Sequence, residues 1–186
     1  MHGYKAWPDG DRKKTQDPEA ILTKAGLRPG MTFVDIGCGQ GYFAIPAARL
    51  AGPEGKVYGI DVDREAIGVL KDKASAAGLN NIRAIVGDAE RKVICEACAD
   101  IAFFGICLHD FEAPEAVLKN ARRALKAGGT LADLDWKKAR DSAGGPPYGA
   151  RFSERKASGL IEGAGFTIQS IEDIEGRYYL IRAKSE

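Results

Sequence analysis

Thr32-Phe33-Val34-Asp35-Ile36-Gly37-Cys38-Gly39-Gln40-Gly41-Tyr42 decides how the chain folds. Thr32 to Ile36 reads as a short apolar strand with one acid, Asp35, near its end. Three glycines follow at alternate positions, Gly37, Gly39 and Gly41, and a helical run extends from about Tyr42 to Leu50. A strand, a glycine turn and a helix in succession leave backbone N–H groups facing a ligand, with no side chains to bar its approach. Such a site suits a nucleotide or nucleotide-like cofactor; a tight turn with no ligand is the plain alternative. The dinucleotide fingerprint G-x-G-x-x-G fails, because its third glycine, counted from Gly37, falls on Tyr42. Counted from Asp35, the pattern D-x-G-x-G-x-G fits throughout. No G-x-x-x-x-G-K-[ST] occurs, so a P-loop is excluded.

Outward from this stretch the chain alternates strands and helices. Upstream, Asp17-Pro18 pairs an N-cap with proline at the first helical position, and the helix stops at Gly26. Downstream, Lys56 to Ile60 is a second strand ending at Asp61. Asp63 caps a helix whose apolar stripe is Ala66, Ile67, Leu70 and Ala74, and Gly78 closes it. Ile82 to Gly87 is a third strand ending at Asp88, and Asp100 to Gly105 a fourth. Pro114 to Lys126 has helical periodicity, and Thr130 to Trp136 is a fifth strand. Residues 137–151 form a long loop. Ser153 caps a last helix, and Phe166 to Ile174 and Arg177 to Arg182 make a terminal hairpin around Glu175-Gly176. Alternation of this kind predicts an α/β fold, a parallel sheet with helices on both faces, and the short last connection permits only an antiparallel pair.

The chain has 186 residues and a net charge of +1. That length suits one domain, residues 1–186, with an N-terminal arm over 1–16 anchored by Tyr4 and Trp7. The charge gives no global pull toward nucleic acid or anionic membrane. No run is apolar enough to span a bilayer, and the N-terminus lacks the apolar stretch of a signal peptide, so a cytoplasmic location is expected. Cys95-Glu96-Ala97-Cys98 is a C-x-x-C without the two further ligands that zinc needs, and no metal is expected.

The D-x-G-x-G-x-G stretch resembles motif I of class I S-adenosylmethionine (SAM) dependent methyltransferases. With the terminal hairpin, the resemblance covers essentially the whole chain. It implies a Rossmann-like seven-stranded sheet of order 3-2-1-4-5-7-6, strand seven antiparallel. The nearest likeness is to the ubiquinone/menaquinone C-methyltransferase group, including small members with a similar Asp135-Trp136-Lys137-Lys138 strand end and Gly-Pro-Pro loop. Carried over position by position, Asp35, Gly37, Cys38, Gly39, Gly41 and Tyr42 hold the methionyl part of SAM. Asp61 ends strand two where a carboxylate accepts ribose hydroxyls. The resemblance puts Val62 on the adenine face, Asp88 on the adenine amino group, the Ala89 N–H on a ring nitrogen, and Gly105 at the end of strand four. Each acid also has an ordinary reading, as a turn, helix or Asx cap.

Methyl transfer by in-line displacement needs an aligned nucleophile, exclusion of water and, for a protonated nucleophile, a base. The segment Gly105 to Phe111 lies where this family places substrate-facing groups. His109 is one of two histidines and the better candidate base; a structural histidine that orders the loop is the alternative. Asp135 is the second catalytic candidate, and Cys107 and Trp136 are candidate pocket walls. Pro146-Pro147-Tyr148 lacks the leading Asp or Asn of the amino-methyltransferase motif and follows the wrong strand. A small-molecule acceptor is therefore expected, with S-adenosylhomocysteine as coproduct. Cover for the pocket is expected from the arm, the 137–151 loop or a homodimer partner. Two other functions stay open: a catalytically silent SAM-binding regulator, and an RNA or protein methyltransferase that uses Lys137, Lys138, Arg140, Arg151, Arg155 and Lys156.

Overall fold

The structure, a computed structural model, describes residues 16–139 and 144–185. The expected arm anchors Tyr4 and Trp7, and Arg140, lie outside the described residues. Along the chain run α1 (Pro18–Ala25), β1 (Thr32–Ile36), α2 (Ala44–Ala51), β2 (Lys56–Asp61), α3 (Arg64–Ala76), β3 (Ile82–Val86) and β4 (Ala99–Gly105). A 3-10 turn (Leu108–Asp110) leads to α4 (Pro114–Ala124), β5 (Leu125–Trp136), α5 (Glu154–Gly163), β6 (Phe166–Ile174) and β7 (Tyr178–Ser185). The seven strands form one sheet in the order β3-β2-β1-β4-β5-β7-β6, with β7 antiparallel to both its neighbours.

Local chemistry sets the ends of these elements. Asp17 accepts hydrogen bonds from the Glu19 and Ala20 N–H groups, and Asp63 does the same for Glu65 and Ala66. Gly26 closes α1 in the left-handed region, at φ 101°. Glu175 and Gly176 both take positive φ, as a type I′ turn requires, and the Arg177 N–H donates to the Ile174 carbonyl across them.

Helices cover both faces. Ile21, Leu22, Ala47, Ile67 and Leu70 of α1, α2 and α3 pack with Phe33, Phe103, Leu134 and Trp136 on one side. Val117, Leu118, Ala121, Ala157 and Ile161 of α4 and α5 pack with Val34, Phe104, Leu131, Tyr179 and Ile181 on the other. Burial on both faces explains why the central strands are runs of apolar residues rather than alternating ones.

Several boundaries differ from the sequence reading: β7 runs to Ser185 rather than Arg182, α4 ends at Ala124 rather than Lys126, and two further differences have a local cause. The helix after the glycine turn starts at Ala44, not Tyr42. Gly41 holds φ 87°, which no helix admits, and Tyr42 and Phe43 are buried as an edge-on aromatic pair before the helix begins. β5 starts at Leu125 rather than Thr130, because buried Leu125 pairs with Ala99 before the register shifts to Ile101–Thr130. Gly128, at φ 69°, lets the chain make that detour.

Candidate active site

The carboxyl ends of β1, β2, β4 and β5 converge where strand order reverses, between β1 and β4. Gly37, Gly39 and Gly41 all have positive φ, at 71°, 50° and 87°. Two of them are glycine for a further, steric reason. A Cβ on Gly41 would lie 2.4 Å from Leu70 Cδ1, and one on Gly37 would lie 3.0 Å from Cys107 Sγ. Around Gly39 nothing lies within 4 Å of such an atom, so this glycine borders open space. The turn is pinned from behind: the Gly37 and Cys38 N–H groups donate to the Ile60 carbonyl, at 2.9 and 3.1 Å.

Asp61 is bound into the same turn. Its Oδ2 accepts from the Gly39 N–H at 2.8 Å and its Oδ1 from the Asp63 N–H at 2.9 Å. Each carboxylate oxygen keeps a second lone pair for a ligand hydroxyl. Beside it Val62 is 53% exposed and presents an apolar surface next to the Asp61 carboxylate. Asp88 accepts from the Glu90 N–H and pairs with Arg91 at 3.2 Å. Ala89 is buried, its carbonyl fixed by Asn120 Nδ2. Asp35 is buried at the end of β1.

Several expected contacts take a different form. The Cys38 side chain points away from the open side: it packs where a Cβ on Gly59 would approach its Sγ to 2.9 Å, and burial pushes its thiol up. Its thiol donates to the Gly39 carbonyl at 3.7 Å. Tyr42 is buried and donates its hydroxyl proton to the Gln16 carbonyl at 2.7 Å. Gly105 is required by Phe43, whose ring would sit 2.6 Å from an added Cβ. Phe43 also meets Phe103 edge-on at 4.9 Å and supports the floor of the site from beneath. Trp136 is wholly buried, tilted against Tyr178 at 4.6 Å, with the Arg151 guanidinium over its ring at 5.1 Å.

The chain after β4 is strained. Ile106 has φ 63°, an outlier for a β-branched residue, held by its N–H bond to the Leu134 carbonyl. That twist sends Cys107 back to donate to the Ile36 carbonyl at 3.0 Å and places His109 over β5. His109 and Asp135, separated in sequence, meet with Nδ1 and Oδ2 2.7 Å apart, both buried. Asp135 Oδ1 also accepts from the Trp136 N–H. The other imidazole nitrogen, Nε2, lies 3.3 Å from Asp110 Oδ1. Burial alone lowers the basicity of His109, but the bond to Asp135 and the charges of Asp135 and Asp110 outweigh it and raise its pKa above 6.5. Burial and the neighbouring carboxylates push the Cys107 thiol up, so it is no nucleophile.

Asp133, Asp110 and Phe43 were not singled out as site residues from sequence, and Arg151 only as part of a basic cluster for RNA; all four shape this end of the sheet. Asp133 is fully buried on the same face of β5 as Asp135, and neither of its oxygens has a hydrogen-bond partner among the described residues. Burial, then the Asp135 charge, raises its pKa far above the carboxylate range. The C-x-x-C is a disulfide, Cys95–Cys98, on the loop between β3 and β4. Among the described residues no cluster of three or more His, Cys, Asp or Glu is placed to hold a metal, and no helix is long and apolar enough to cross a membrane.

Residues 27–143 match the family model described as a methyltransferase domain. Demethylmenaquinone methyltransferase of Geobacillus kaustophilus is 31% identical over 117 residues, 63% of this chain and 50% of the relative. The Staphylococcus aureus enzyme of the same name is 30% identical over 115 residues, 62% of this chain and 47% of the relative. The chain thus spans about half the length of the curated relatives it matches. A SAM-dependent methyltransferase from Aquifex aeolicus superposes with a TM-score of 0.88 at 26% identity, covering 97% of this chain and all of that one. Geranyl diphosphate methyltransferase in complex with SAM shares the fold, with a TM-score of 0.77 at 15% identity over 91% of this chain and 84% of its own. Matched over more than half its length by the family model and along nearly all of it by the Aquifex structure, the chain belongs to the methyltransferase-domain family and carries the class I SAM-dependent methyltransferase fold.

Proposed function

We propose that the protein transfers a methyl group from SAM to a small-molecule acceptor, leaving S-adenosylhomocysteine. The observation that carries this reading is Asp61 bonded to Gly39 in a turn of three left-handed glycines that borders open space. SAM supplies an electrophilic methyl group on a sulfonium. Asp35 is the carboxylate for its ammonium end, Asp61 for the ribose, and Val62, Asp88 and Ala89 surround the adenine. The buried acids Asp35 and Asp135 give the strand ends a negative field suited to a cationic donor.

His109 and Asp135 are the proton-handling pair. With Nδ1–H donated to Asp135, the ring takes a proton at Nε2 when Asp110 swings aside, and Asp135 stabilises the resulting imidazolium. Because the bond to Asp135 and the nearby carboxylates raise the pKa of His109, the ring is a base only above that raised pKa, and transfer to a protonated acceptor accelerates as pH rises through it. Cys107 and the covered Trp136 are apolar surroundings for the acceptor rather than reactive groups.

A second reading, a SAM-binding protein that transfers nothing, is favoured by one feature: carboxylates engage both ring nitrogens of His109. An RNA acceptor has less support. Arg151 is buried on backbone carbonyls, Lys137 is paired with Asp173, and Lys156 lies over the Phe152 ring at 3.6 Å, so the basic cluster is largely used within the protein. Incubation with methyl-labelled SAM and a fractionated bacterial extract tests the reading. Label is expected in the small-molecule fraction. Label confined to RNA or protein overturns the acceptor class, and label in no fraction favours the silent binder.

A further inference from the structure

The Cys95–Cys98 disulfide closes a turn that caps α4 from outside the helix. The Ala97 N–H donates to the Arg123 carbonyl and the Cys98 N–H to the Ala124 carbonyl, each at 2.9 Å. Both carbonyls belong to the last turn of α4, where no intrahelical donor is left for them. Ala97 holds φ 45°, a left-handed backbone that a non-glycine residue keeps only under constraint. Glu96 pairs with Arg123, so a guanidinium stands at the turn. The far end of the same segment is tied to the same helix. Asn120 Nδ2 donates to the Ala89 and Glu90 carbonyls, each at 2.9 Å, and Glu90 Oε1 accepts from the N–H of Ala113, the N-cap of α4, at 2.7 Å. Residues 89–98 thus strap α4, with Asp88 and Ala89 at one end and the disulfide at the other.

We propose that Cys95–Cys98 is an exchange site for low-molecular-weight thiols, and that opening it loosens the strap and, at its other end, the Asp88–Ala89 edge. That this edge meets a cofactor rests on the methyl-transfer reading; the exchange does not. A bridge across only two intervening residues removes little freedom from the unfolded chain, so as a structural staple it gains least. Both cysteines are half-buried and the two residues between them are exposed, so an external thiol reaches the sulfurs. Its thiolate attacks one Sγ, the S–S bond breaks, and the other cysteine leaves as a thiolate and takes up the proton that the external thiol gave to water. A second external thiol attacks the mixed disulfide, frees the first cysteine as a thiol and leaves within the external disulfide. Two electrons pass to the protein, and two external thiols become one disulfide. The guanidinium that Glu96 holds at the turn favours the leaving thiolate. Cys38 and Cys107 have thiols pushed up by burial and stay out of the exchange. With the bridge open, no covalent closure keeps Ala97 in the left-handed region, and the Ala97 and Cys98 bonds to α4 loosen.

Equilibration of the folded wild type with graded ratios of reduced to oxidised glutathione, then iodoacetamide trapping and peptide mapping, reads the exchange, because an inert structural bridge resists the glutathione pool. Label is expected at Cys95 and Cys98 and at neither Cys38 nor Cys107, with the circular dichroism of the fold unchanged. Amide hydrogen exchange reads the strap. On reduction, and equally in the Cys95→Ser, Cys98→Ser double variant, exchange at Ala97 and Cys98 is expected to quicken about tenfold. A bridge that opens only when the chain unfolds overturns the site. Amides that keep their oxidised rates in both the reduced protein and the double variant overturn the loosening. Calorimetry with S-adenosylhomocysteine on the two redox forms follows the strap to its other end, and binding about fivefold weaker in the reduced form is expected. Equal affinity overturns the link to the Asp88–Ala89 edge. No heat in either form removes the methyl-transfer reading and leaves the trapping and amide results standing.

Discussion

Gly39 and Gly41 share a left-handed backbone but not the same surroundings, and their alanine variants are expected to fail in different ways. At Gly41 the new methyl meets Leu70 in the core, so Gly41→Ala combines backbone strain with overpacking and costs roughly 2–4 kcal/mol in urea unfolding. At Gly39 the methyl enters open space, so Gly39→Ala costs only about 1–2 kcal/mol of backbone strain but obstructs the cofactor, and calorimetry should find affinity lost while the fold persists. Equal loss of stability in both would contradict the geometry. Asp133 makes a prediction of opposite sense. Its folded pKa lies above its unfolded one, so the native state keeps a proton that the unfolded chain gives up, and stability from this residue falls as pH rises above the ordinary carboxylate range. Asp133→Asn removes that loss. Its stability relative to wild type should grow between pH 4 and 7 by up to about 1.4 kcal/mol per pH unit, read as urea midpoints across pH. A constant difference would mean that Asp133 is ionised in the fold. Asp35 and Asp61 were visible in the sequence because each follows an apolar run and borders a glycine turn or a helix start. Asp133 was not, because Asp133-Leu134-Asp135 looks like any strand end until both its faces are known to be covered.

The junction of β2 and α3 carries two acids two residues apart with separate tasks. Asp63 caps the helix, and Asp61 faces the glycine turn. Asp63→Ala should cost about 1 kcal/mol of stability and leave cofactor affinity nearly intact. Asp61→Ala should do the reverse, since the Gly39 N–H it releases borders the open side. Urea melts and calorimetry on the two variants check this, and equal loss of affinity would erase the division. Element types were legible along the described chain, since hydrophobic period, caps and glycine stops agree. The start of β5 was not. Lys126 to Gly129 looks like a helix end and turn, and the pairing of Leu125 with Ala99, a contact distant in sequence, overrides that local signal. The contacts of this loop were equally hidden: Gly, Pro and charge announce a loop, but only the fold shows that Arg151 donates to the Gly144 and Pro146 carbonyls.

Across the whole molecule, the sheet order places β1, β2 and β4 so that a glycine turn, Asp61 and the strained segment after β4 share one edge. The His109–Asp135 contact depends on the same topology, since β4 and β5 are neighbours and the 3-10 turn after one reaches the end of the other. Family membership and fold are those of the methyltransferase-domain family, and the match spans about half the length of the curated relatives. The claim that the β1–β2 edge holds SAM through Asp61 and the glycine turn is the one on which the rest stands. Titration of S-adenosylhomocysteine into wild type, Asp61→Ala and Asp63→Ala, followed by calorimetry, tests it most directly. The account predicts one site per chain in wild type, binding at least about tenfold weaker in Asp61→Ala from the loss of charge-assisted hydrogen bonds, and near-normal binding in Asp63→Ala. No heat in wild type, or the same affinity in wild type and Asp61→Ala, would contradict it.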